Sequence, residues 1–188
     1  MRVPFNEAKA TQAASRLLRL AGGRLNYMLL IKLLYLTDRE ALLRWGRPVT
    51  FDEYYSMHKG PILSRVLDLI TEEPEPEFQR YWDRFISAPS NWQVSLTQDP
   101  GAGQLSQAEE ELIEEVFNQN KQYVDRPFDL VKLLHTTLPE WDKDIPEGRR
   151  SPISIVEILK EGQKSAEEIS AIHGELKSLN RIRNFVAR

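Results

Sequence analysis

Apolar positions in the first quarter of the chain recur with helical spacing. Ala8, Ala13, Ala14, Leu17, Leu18 and Ala21 form one stripe over residues 7–21, with Arg16 and Arg19 on the other side. That pattern predicts an amphipathic helix docked on a core. Gly22-Gly23 ends it, glycine being able to reach the left-handed backbone of a helix exit. A second helix is expected from Asn26 to Trp45, stopped by Gly46 and Pro48. Its stretch from Tyr27 to Leu36 is apolar almost all round, which predicts a central helix with neighbours on several sides. Lys32 interrupts that stretch, so its amine must snorkel to water or pair with a carboxylate, Asp38 or one from another helix.

Residues 49–59 are aromatic and β-branched and read as a loop with a short extended segment. Gly60-Pro61 is expected to open a helix through Ile70, burying Ile62, Val66, Leu67 and Ile70. Residues 71–77 form an acidic loop, since Pro74 and Pro76 forbid a continuing helix. Residues 92–96 alternate like a short strand, whose partner is expected near Tyr54 or within residues 78–85. Three capping boxes follow, Ser106 with Glu109, Ser154 with Glu157 and Ser165 with Glu168, and Pro127 opens a further short helix. After the last box, Ile169, Ile172, Leu176 and Leu179 keep heptad spacing, either docking on their own domain or facing a partner. The basic tail from Arg181 to Arg188 is expected to fray.

Composition narrows the chemistry. The 188 residues contain no cysteine, which excludes disulfides, cysteine-ligated metals and thiol catalysis. No apolar run marks a signal peptide or a membrane span, so a cytoplasmic protein is expected. Lys and Arg crowd residues 1–50 while acidic residues dominate the rest, which predicts either a steering field for a charged partner or two solvated faces. His58, His135 and His173 lack ligand spacing, and no phosphate-binding glycine loop occurs. The carboxylates of residues 109–115 read as a solvated helix face. No catalytic, cofactor or metal residue is assigned, and a non-enzymatic role is expected. Arg2, Lys9 and Arg16 recur every seven residues, yet a pI near 5.7 argues against nucleic-acid binding.

One ordered set of segments resembles the Panacea domain, the SocA-like antitoxin family. It runs through Leu25-Asn26, Ile31-Lys32-Leu33-Leu34-Tyr35-Leu36-Thr37-Asp38-Arg39 and Gly46-Arg47-Pro48-Val49-Thr50. It continues with Asp52-Glu53-Tyr54-Tyr55-Ser56-Met57-His58-Lys59-Gly60-Pro61 and Leu105-Ser106-Gln107-Ala108-Glu109. Leu133-Leu134-His135, Leu138-Pro139-Glu140-Trp141 and Pro152-Ile153-Ser154 complete it, spanning roughly residues 10–165. Lys59 departs from the pattern, which often places an aromatic residue before Gly-Pro.

The resemblance implies a mainly α fold, a compact multi-helix domain with a small antiparallel β element. Residues 1–165 would form that domain, and residues 166–188 an amphipathic helix and basic tail packed on it or extending it. It implies the antitoxin of a bacterial or phage toxin–antitoxin pair, neutralising its toxin by direct binding. The alternatives are an adaptor delivering the toxin to a protease and a nucleic-acid-binding regulator. An enzyme or nucleotide-binding regulator would instead need a polar, ligand-sized pocket around Lys32 and His135. The motif residues Lys32, Leu33, Leu34, Tyr35, Asp38, Gly60, Pro61, His135, Pro139 and Trp141 read as scaffold, with the His135 ring placed to bond a helix-terminal carbonyl. Candidate toxin contacts are the exposed members of Tyr54, Tyr55 and Met57, and the stripe Ile169, Ile172, Leu176 and Leu179.

Overall fold

The structure is a computed structural model that describes residues 5–73 and 79–186, with side chains of the last helix described through Leu179. Arg2, the acidic stretch from residue 74 and the side chains of the basic tail lie outside the described residues. Asn6 caps helix α1 (Glu7–Leu20) by accepting from the Lys9 amide. Strand β1 (Arg24–Asn26) follows, and Asn26 caps helix α2 (Tyr27–Trp45) through the Met28 and Leu29 amides. Helix α2 is the axis of the molecule. Leu29, Leu30, Leu33, Leu34, Tyr35 and Leu42 are all buried on it, facing neighbours on several sides.

Strands β2 (Tyr54–Met57) and β3 (Gly60–Leu63) form a hairpin, with Tyr54 opposite Leu63 and Met57 opposite Gly60. Strand β5 (Arg150–Pro152) pairs with the other edge of β2. Gly60-Pro61 therefore continues a strand and opens no helix; helix α3 (Ser64–Thr71) begins only after Leu63. The cause is local. Gly60, at φ +94, closes the His58-Lys59 turn, and Pro61, lacking an N–H, is tolerated on the edge strand β3. Asp52 then caps α3 from a distance, accepting from the Arg65 and Val66 amides.

Strand β4 (Gln93–Ser95) pairs antiparallel with β1, Leu25 opposite Val94, and an isolated bridge joins Leu96 to Ile86. Its main partner is thus neither the Tyr54 segment nor the 78–85 stretch. A three-residue strand between a glycine pair and a helix is too short to show alternation. Helices α4 (Gln107–Asn120), α5 (Pro127–Thr137), α6 (Ile155–Glu161) and α7 (Ala166–Val186) complete a mainly α fold with two small antiparallel sheets among the described residues. All three capping boxes make both of their bonds.

The charge asymmetry is resolved internally. Lys9 meets Glu109 at 2.7 Å, Arg16 meets Glu110 at 2.8 Å and also Glu114, and Arg44 meets Glu115 at 2.6 Å. The basic faces of α1 and α2 lie against the acidic face of α4, so the two poles neutralise each other instead of steering a partner. The partly exposed Arg16 and Arg44 pairs add at most about 1 kcal/mol each. The pairing occupies Lys9 and Arg16, the described part of the basic side of α1, and takes up four glutamates of α4. Among the described residues no helix is long and apolar enough to cross a membrane.

Candidate functional site

The motif residues of α2 divide between internal stitching and one exception. Asp38 is wholly buried and accepts from the Val49 and Thr50 amides, both at 2.9 Å, from the Thr50 hydroxyl, and from Tyr54 at 3.0 Å. Burial raises its carboxyl to about 6, against the pull of those donors. Tyr35 donates to Glu140 at 2.9 Å, and Arg39 reaches the same carboxylate at 2.7 Å. The first network ties residues 49–54 to α2, and the second ties down the loop after α5. Leu33 and Leu34 sit in the core, and Pro139 lies exposed in the turn that follows α5.

Lys32 is the exception. Its side chain is 1% exposed, and its amine donates to the Pro61 carbonyl at 2.6 Å. Asp38 does not pair with it. Six residues on, at about 100° per residue, Asp38 faces well round the helix from Lys32. Among the described residues no carboxylate forms an ion pair with this amine, and burial pushes it down to about 7. A Cβ placed on Gly60 would lie 3.2 Å from Lys32 Nζ and 3.6 Å from His135 Nε2, so both nitrogens border one point. The His135 ring, expected to bond a terminal carbonyl, stacks on Trp141 at 3.8 Å. Trp141 in turn donates its indole N–H to the Met57 carbonyl at 2.9 Å. His135 Nε2 is buried with no hydrogen-bond partner, and burial, with Lys32 and His58 nearby, holds the ring below its usual pKa.

Beside this corner lies a groove of about 540 Å³. Its walls are mostly apolar, with Met28 and Ile31 from α2, Met57 from β2 and Leu67 from α3. It is ligand-sized, and Asn26 and Lys32 add polar groups to a mostly apolar lining that does not include His135. Trp92 and Phe128 stand at its mouth, 70% and 57% exposed, with His58, Lys59 and Glu147 adding charge. Trp92 occupies a turn closed by reciprocal Ser90–Gln93 backbone bonds, and both Asn91 and Trp92 have positive φ, 50° and 62°. For a bulky aromatic residue that backbone region is disfavoured. The Trp92 carbonyl accepts from the Tyr27 amide at 3.0 Å, and the two rings lie 5.9 Å apart.

The other candidate contacts scatter. Met57 lines the groove, Tyr55 is half-buried with the Arg150 guanidinium 4.9 Å over its ring, and Tyr54 is interior. On α7, Leu176 is buried, Ile169 and Ile172 are half-buried, and Leu179 is exposed. Ile172 packs against Gly46, where a Cβ would approach it to 2.9 Å. The heptad stripe therefore docks on its own domain, and only Leu179 remains open. Tyr55 and Leu176 come together around a second cavity, of about 410 Å³. Sequence reasoning missed Trp92 and Phe128. The available signals were an asparagine at a turn just before Trp92, and an aromatic residue off the Leu130, Val131, Leu134 stripe of α5.

A mainly helical domain whose motif carboxylates and tyrosines stitch the fold together, with its two most exposed rings, Trp92 and Phe128, at one groove, has the build of a binding module. Its family is shown by sequence: residues 30–142 match the family described as antitoxin SocA-like, Panacea domain, and the chain belongs to that family. The match spans every motif residue from Lys32 to Trp141. An antitoxin family points to a non-enzymatic role and, in general, to a toxin as partner. No curated protein and no solved structure gives a match.

Proposed function

We propose that this protein neutralises a cognate toxin of a bacterial or phage toxin–antitoxin pair by direct contact, and that the groove under Trp92 and Phe128 is where the toxin seats. The observation carrying this reading is Trp92. It is a large ring held in water on a strained backbone, at the mouth of an apolar groove. Tryptophan beside a pocket is a frequent anchor at interfaces, and methionine walls adapt to the side chain that enters. A standard interface buries on the order of 1,600 Å², more than the groove offers, so surface around it contributes as well. Residues 1–165 act as the binding domain in this reading, with residues 166–188 extending it.

The test is co-expression with the protein encoded by the neighbouring gene. Trp92→Ala and Phe128→Ala are expected to weaken neutralisation and co-purification while the thermal midpoint stays within a few degrees of wild type. Full protection by the double variant would remove the groove from the account.

A further inference from the structure

We infer that the Lys32–His135 corner, which meets the groove at Lys32 and Gly60, is a carboxylate-binding subsite, filled by an acidic side chain of the toxin that enters beside an apolar one. The inference rests on the groove being the docking face and adds the chemistry of what docks.

The geometry leads to this conclusion. Lys32 from α2 and His135 from α5 direct nitrogens at the same point beside Gly60, 3.2 Å and 3.6 Å away. An ammonium has three N–H donors, and the Pro61 carbonyl takes one. His135 Nε2 has no partner. An oxygen lying between the two nitrogens and clear of the Gly60 Cα would accept from both, and a side chain at position 60 would obstruct it. On the groove lining Lys32, His58 and Lys59 stand with a single carboxylate, Glu147, and His135 lies beside them. Asp38 is committed to the 49–54 segment. The excess is positive, so the corner favours an anion. Two nitrogens suit a carboxylate better than a phosphate, whose three terminal oxygens would need more donors. The apolar walls and exposed rings fit a protein segment carrying that carboxylate next to a hydrophobic side chain.

Burying Lys32 works against the fold, and a bound carboxylate would compensate its charge. Binding would then return protons to Lys32 and His135, both held low in the free protein.

The full chain is titrated with hexanoate and with hexanamide, of nearly the same shape without the charge, followed by NMR and calorimetry. Hexanoate is expected to bind on the order of tenfold tighter than hexanamide. Proton uptake should accompany binding at neutral pH, and the preference should fade as pH rises from about 7 to about 9. Lys32→Met, with folding checked by circular dichroism, is expected to bind the two compounds equally. If that variant does not fold, the pH dependence and proton uptake of the wild type decide. Equal binding by the wild type, or a preference with no proton uptake, overturns the subsite. Hexanoate should also compete with the toxin for the free protein. Tight hexanoate binding without competition overturns the toxin side chain as occupant and leaves a small-anion site. Failure of the groove itself is read separately, from Trp92→Ala and Phe128→Ala.

Discussion

At Trp92 the backbone and the side chain are both held against their preferences. Glycine suits a φ of +62° better than tryptophan does, and removing the exposed ring sacrifices little packing. Trp92→Gly is therefore expected to leave stability unchanged or raise it by up to about 1 kcal/mol in chemical denaturation. Lys32, Asp38 and Asp52 give the fold an unusual pH response. Burial holds Asp38 at about 6 and Asp52 at about 7, both above their unfolded value, so stability falls as pH rises from about 4 to about 7. Burial holds Lys32 at about 7, below its unfolded value, so stability rises again from about 7 towards 10.5. Denaturation midpoints are expected to pass through a minimum near neutrality, and Lys32→Met should abolish the alkaline rise. A flat or dome-shaped profile between about pH 5 and about pH 9 would contradict these assignments. Asp38→Ala would leave two amides and two hydroxyls short of an acceptor, and is expected to destabilise by on the order of 3 kcal/mol.

Among the elements, α1, α2, α4 and α7 were legible because each carries several turns of apolar positions and a chemical start signal, and the short α6 by its capping box alone. Strands β1 and β3 were hidden. β1 has only three residues, and Gly-Pro reads locally as a helix start although the turn before it makes it a strand start. The corner residues Lys32, Gly60 and His135 were legible as motif positions, but their convergence depends on a hairpin register that sequence spacing does not state. Trp92 and Phe128 escaped because an exposed side chain outside the buried stripe leaves no periodic trace. Helix α7 could not be assigned inward or outward from its stripe alone. Its docking now predicts that Leu176→Ala costs about 2–4 kcal/mol, whereas Leu179→Ala changes stability by less than about 0.5 kcal/mol. Equal effects in thermal denaturation would mean that α7 does not dock through Leu176.

Across the whole molecule, the ionic surface between α1, α2 and α4 is closed on itself, and the two most exposed apolar side chains, Trp92 and Phe128, stand on the groove where α2, α5 and the β2–β3 hairpin meet. Partner binding by this protein should accordingly depend more on groove packing than on long-range charge. The most direct test compares wild type and Trp92→Gly, measuring thermal stability and affinity for the purified toxin on the same samples. The account predicts an equally or more stable protein whose affinity drops at least about a hundredfold, as expected when an interface anchor is removed. Wild-type affinity in a stable Trp92→Gly protein would contradict it.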